Sequence, residues 1–124
     1  GWLEDWAAQR SVSLRAVEPH LWPFREQVAI AQGTDVLVAV HGAALTHLLW
    51  LPKHAVVLEI MPPGLEKVTY RNLAKLAGVA YLCVRAEGLL MRDWTELPVK
   101  VDREAFVRAL DAAVCLARES TARQ

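Results

Sequence analysis

Cysteine is scarce: Cys83 and Cys115 are the only two in 124 residues. A disulfide framework of the kind that staples small secreted domains is therefore excluded, and both thiols are expected in the core, one in a strand and one on a helix. Charge of one sign is equally lacking. Fourteen basic and fourteen acidic side chains cancel to a formal net charge of +0, which leaves no long-range field, and nucleic acid is not an expected partner. No apolar run approaches the roughly 20 residues of a membrane span, because Pro52, Lys53 and His54 cut the longest one short. The start, Gly1-Trp2-Leu3-Glu4-Asp5, lacks the basic and apolar blocks of a signal peptide. Also missing are the Gly-x-Ser-x-Gly elbow of hydrolases, a Gly-x-Gly-x-x-Gly dinucleotide turn and a Gly-x-x-x-x-Gly-Lys phosphate loop. The four histidines show no metal-ligand spacing with the cysteines or acids, so no metal is expected. Internal repeats and low-complexity linkers are absent.

What is present is 54% hydrophobic residues in a chain of one-domain length, so residues 1–124 are read as one domain with a real core. Trp2, Leu3 and Trp6 have helical offsets. Val12 to Val17 alternates apolar and polar residues, as in a strand near a sheet edge. Phe24, Val28 and Ala31 define a helix that Gly33 ends. Val36 to Val40 is continuously apolar and β-branched, which suits a strand buried on both faces. Leu45, Leu48 and Leu49 return to helical spacing, Val56 to Ile60 makes another buried strand, and Tyr70, Leu73, Ala74 and Ala77 line a helix closed by Gly78. Val79 to Val84 is the fourth strand. A loop with Trp94 and Pro98 leads to Asp102, an expected N-cap, with Val101 placed to staple against Phe106 of the last helix. The five tryptophans are read as core or domain-contact residues.

This alternation of strands and helices implies right-handed crossovers, hence a Rossmann-like α/β fold with a parallel sheet of about four strands and helices on both faces. Ligands in such folds bind beyond the carboxyl ends of the strands, where His41, Glu59, Glu18 and Arg85 are expected. At the corner His41-Gly42-Ala43, Gly42 allows a sharp turn and a close approach, and the following helix aims N–H groups and partial positive charge at the same spot. An anion would be accepted there, with a hydrogen bond from His41 and a hydroxyl from Thr46 one turn on. The alternative is a tight turn with a structural histidine. Glu59, a carboxylate in an apolar strand, must be paired, neutralised or ligand-bound. Paired sugar or ribose hydroxyls suit it; so does a structural cation.

The run FREQVAIAQGTDVLVAVHGAALTHLLWLPKHAVVLEIMPPG, followed by YRNLAKLAGVAYL, resembles the C-terminal part of glycosyltransferase family 61 over roughly residues 22 to 84. The Gln27 helix, the Asp35 strand, the His-Gly-Ala-x-Leu-Thr-His corner, the Leu-Pro turn and the Glu59 strand occur in register; Ala44 stands where many members carry glycine. The resemblance implies an inverting, metal-independent enzyme of the two-lobed GT-B architecture, this chain being part of its C-terminal lobe. It would place His41, Gly42, Ala43 and Thr46 near the diphosphate of a nucleotide-sugar donor, a UDP-sugar, and Glu59 near the ribose or sugar. No separate cofactor is implied. The acceptor would be a glycan or glycoprotein bound by an N-terminal lobe missing from this chain, which would also supply the general base, so the chain alone is expected to be inactive. The rival reading is a non-catalytic Rossmann-like module that associates, as a homo-oligomer, through an exposed edge. Compartment follows the organism: the ER and Golgi lumen for eukaryotic members, the cytoplasm for bacterial ones.

Overall fold

The computed structural model describes residues 1–87 and 101–123. Helix α1 spans Trp2–Gln9, α2 Phe24–Gln32, α3 Thr69–Ala77 and α4 Arg103–Ala122; the strands are β1 Val36–Val40, β2 Val56–Met61 and β3 Ala80–Arg85. Two 3₁₀ segments, Pro19–Leu21 and Ala43–Trp50, join them. The strands form a parallel sheet in the order β1-β2-β3. Alternate residues point to opposite faces. On one face Leu37, Ala39, Val57 and Tyr81 pack under α2, the Ala43–Trp50 segment and α3. On the other, Val38, Leu58, Ile60, Leu82 and Val84 meet α1 and α4, and Val36, Val56 and Ala80 pack with Ala113 and Ala117 of α4. This is the mixed α/β, Rossmann-like arrangement expected from the alternation of elements.

Four expectations are corrected. Val12 to Val17 does not join the sheet: beyond a turn bond from the Val12 N–H to the Ala7 carbonyl, this stretch is irregular. Three strands are therefore paired among the described residues, not about four. β1, the most evenly apolar strand, is only half-buried along its whole length, because it has one neighbour; the central β2 is the strand buried on both faces. Both cysteines are exposed rather than in the core; Cys83 lies on β3, which among the described residues pairs with β2 alone.

The segment after Gly42 is a 3₁₀ helix rather than an α-helix. With three residues per turn, positions i and i+3 align, and Leu45, Leu48 and Leu51 form its buried ridge at 0%, 0% and 8% exposure. Leu49, which an α-helical reading turns inward, is 49% exposed. His47 reinforces the tighter winding: its Nδ1 sits 2.7 Å from the Ala44 carbonyl, the acceptor that an α-helix would give to the Leu48 N–H. Burial of each ridge leucine contributes roughly 1.5–3 kcal/mol, so tertiary packing decides the winding.

The remaining elements follow the sequence. Gly78 closes α3 in the left-handed region with φ 79°, as glycine does best. Asp102 caps α4 by accepting from the Ala105 N–H at 2.9 Å, and Val101 and Phe106 join the same core cluster. Trp6 is buried and Trp2 packs beside it, whereas Trp22 and Trp50 are exposed. The loop holding Trp94 and Pro98 lies outside the described residues.

Candidate functional site

Parallel register builds the site. Ala39, Glu59 and Cys83 stand side by side across the three strands, Val57 pairs with Tyr81, and Val40 pairs with Ile60. Two residues on from Ala39, His41 returns to the same face, held by a bond from its N–H to the Ile60 carbonyl at 2.9 Å. The small side chains of Ala39 and Cys83 leave room beside Glu59, and the larger His41 and Tyr81 reach it from the diagonal positions.

Glu59 is completely buried. The His41 Nδ1 lies 2.5 Å from its Oε2, and the Tyr81 hydroxyl donates to its Oε1 at 2.5 Å. A carboxylate removed from water needs such donors, because leaving it unmatched costs several kcal/mol or forces it neutral. Tyr81 suits this role, because burial pushes its phenol above the ordinary value and the bond to Glu59 raises it further, so it stays protonated and donating. The imidazole of His41 also packs edge-on against Tyr70 of α3, with ring centroids 5.1 Å apart.

These contacts give each Glu59 oxygen a partner within the protein. Completely buried, Glu59 holds His41. The partners are a histidine and a tyrosine rather than the structural Arg or Lys that is the alternative from sequence. Tyr81 escapes a reading of the sequence as a site residue. The available signal is its place on β3 with the same inward parity as the charge on β2.

The backbone of the corner is extended. Gly42 has φ 162° and ψ 178°, a conformation open to any residue, and a Cβ added there would meet only the Val40 carbonyl at 3.7 Å, an ordinary contact. The sharp, glycine-requiring turn expected from sequence is thus not what the chain's own geometry demands. The 3₁₀ segment starts at Ala43, the Leu45 N–H bonds to the Gly42 carbonyl at 3.0 Å, and Thr46 lies exposed on its outer side.

Behind the corner, Gln27 ties three pieces of chain. Its amide N–H groups donate to the carbonyls of Pro19 at 2.6 Å and Trp22 at 2.7 Å, and its Oε1 lies 2.7 Å from the His47 Nε2. Other candidates lie apart from the corner. Arg85 donates to the Leu65 carbonyl and pairs with Glu66; Glu18 is exposed and its carbonyl accepts from the Leu21 N–H. His54 pairs with Asp35 just ahead of β1. No metal-binding cluster of His, Cys, Asp and Glu occurs among the described residues, and none of their helices is long and apolar enough to cross a membrane. Two shallow grooves, of about 410 and 480 Å³, run along α2 and between α3 and Tyr81, and neither is lined by His41 or Gly42.

A parallel α/β sheet covered by helices on both faces is of the Rossmann-like class, in which ligands bind beyond the carboxyl ends of the strands. Comparison with known proteins specifies it further. Residues 3–58 match the family model Glycosyltransferase 61, a stretch that contains the whole corner and ends one residue before Glu59. The EGF domain-specific O-linked N-acetylglucosamine transferase of Drosophila melanogaster is 46% identical over 59 residues, 48% of this chain and 11% of the relative. The enzyme of that name from Bos taurus is 44% identical over 64 residues, 52% and 12% respectively, and that from Gallus gallus 44% over 62 residues, 50% and 11%. The chain thus spans about a tenth of the length of the relatives it matches. No solved structure matches it.

Proposed function

We propose that this chain is the nucleotide-sugar-binding part of an inverting glycosyltransferase, with the diphosphate of a UDP-sugar seated at the corner formed by His41, Gly42, Ala43 and Thr46. The observation that carries the reading is the locked histidine: a fully buried carboxylate fixes His41 at the strand end, where the eight-residue 3₁₀ helix begins. The match of residues 3–58 to the Glycosyltransferase 61 model supports it. Gly42 fits as well, since no described residue requires glycine there, whereas a ligand approaching the backbone would.

In this reading an acceptor hydroxyl of a glycan or glycoprotein attacks the anomeric carbon from the face opposite the nucleotide. The new carbon–oxygen bond forms as the bond to the diphosphate breaks, and the electron pair leaves on the phosphate oxygen. Negative charge grows there, and donors fixed in advance stabilise it without reorganising. His41 and the backbone N–H groups opening the helix are such donors, so the charge is met by protein groups rather than by a metal. The base that takes the acceptor proton, and the acceptor site, come from elsewhere in the full-length protein, and the chain alone is inactive.

Calorimetric titration of the full-length protein with uridine diphosphate tests this. Saturable binding is expected, weakened about tenfold, or about 1.4 kcal/mol, in His41→Ala. Equal affinity in the variant, or no binding by the wild type, contradicts it.

A further inference from the structure

Glu59 could hold His41 in either of two ways: as a carboxylate accepting a proton from Nδ1, or as a neutral acid donating its own to Nδ1. The surroundings choose between them. Tyr81 stays protonated and directs its O–H at Oε1, and hydrogen bonds given to a carboxylate favour its charged form. The other oxygen, Oε2, then faces the His41 Nδ1 as a second acceptor at 2.5 Å. Among the described residues, Cys83 stands beside Glu59 in register and interacts with the Tyr81 phenol, and Tyr70 of α3 meets the imidazole through its ring. The histidine and the phenol together compensate the burial of the carboxylate.

We propose that Tyr81 and Glu59 are positioning residues: Tyr81 anchors one oxygen of the Glu59 carboxylate, the other oxygen holds the Nδ1 proton of His41, and the imidazole is thereby presented to the strand-end corner in one orientation, with Nε2 leading. The proton arrangement stands on the buried geometry alone; its consequence for sugar transfer rests on the donor-site reading above. During transfer the developing phosphate charge lies on the far side of the ring from an ionised carboxylate. With a second proton taken up from solvent on Nε2, the ring donates to the phosphate oxygen, and the carboxylate behind it balances the positive charge so created, in the way that outer carboxylates tune a histidine bound to a metal. Neither Tyr81 nor Glu59 touches the substrate, so their removal affects the transition state more than donor binding.

Two measurements test this. Nitrogen-15 resolved NMR of the histidine rings in the wild-type protein should show His41 carrying a proton on Nδ1 in a strong hydrogen bond, a signal lost in Glu59→Gln. A His41 protonated on Nε2 alone overturns the proposal, and this spectrum needs no variant to decide. In the full-length enzyme, Tyr81→Phe, which removes one hydroxyl, should lower kcat about tenfold per folded molecule with the donor KM unchanged, the pattern of an interaction made in the transition state. A raised KM with kcat intact, or unchanged kinetics, overturns it. Failure of the wild type to bind uridine diphosphate would instead remove the donor-site reading, leaving the ring spectrum to decide the proton arrangement.

Discussion

Glu59 is the one charged side chain among the fully buried residues described, and its neighbours explain how β2 tolerates it: Ala39 and Cys83 on either side are small, and the polar ends of His41 and Tyr81 converge on it. That a carboxylate in an apolar strand needs partners is legible in the sequence. Which partners it takes depends on register between strands that start about twenty residues apart, and no local pattern encodes that. Gly42 shows the opposite limit. Its glycine suggests a sharp turn, yet the backbone there is extended and a Cβ fits. Gly42→Ala should therefore leave the melting temperature within about 2 °C, since substitutions that strain nothing usually stay within ±0.5 kcal/mol, while weakening uridine diphosphate binding. A large loss of stability in a melting experiment, or unaltered binding, would show that glycine serves the fold instead.

At the scale of elements, spacing locates segments better than it identifies their winding. Leu45, Leu48 and Leu51 repeat every three residues, a 3₁₀ signature, but Leu49 imitates the α-helical offset from Leu45 and hides it. The cap at Asp102 is legible because its chemistry is local. The tie between α1 and α4 is not, because its residues lie about a hundred positions apart: Asp111 of α4 accepts from the Trp6 indole at 2.9 Å and from the Arg10 guanidinium at 2.5 Å. Burial works to raise the carboxyl of Asp111, but the bonds from Arg10 and Trp6 outweigh it and hold the group below the ordinary aspartate range. A depressed folded-state value means that the tie contributes stability above the unfolded aspartate value, near pH 4, and loses it as the pH falls through the lower folded value. The melting-temperature gap between wild type and Asp111→Asn should accordingly narrow from pH 7 towards pH 3. A gap constant across that range would mean that the carboxylate's charge is not what matters. The pair is part-exposed, so the effect is expected to be modest.

Across the whole molecule, the rhythm of strands and helices specifies a parallel sheet covered on both faces, and that is what forms. Strand number and burial are harder to read, because a segment such as Val12 to Val17 has strand-like alternation without a pairing partner here, and β1 has neighbours on one side only. Large apolar side chains also stand exposed, among them Phe24 at 65% and Leu76 at 85%, and they give the association reading its surface. The donor-site reading draws instead on the locked histidine and on the match of residues 3–58, which contain it, to the Glycosyltransferase 61 model. The most direct measurement is a structure of the full-length protein with uridine diphosphate bound. The account predicts a phosphate oxygen within hydrogen-bond distance of His41 and of the backbone N–H groups opening the Ala43–Trp50 segment, with Glu59 still bonded to the histidine. A diphosphate seated elsewhere, with the His41 corner untouched, would contradict it.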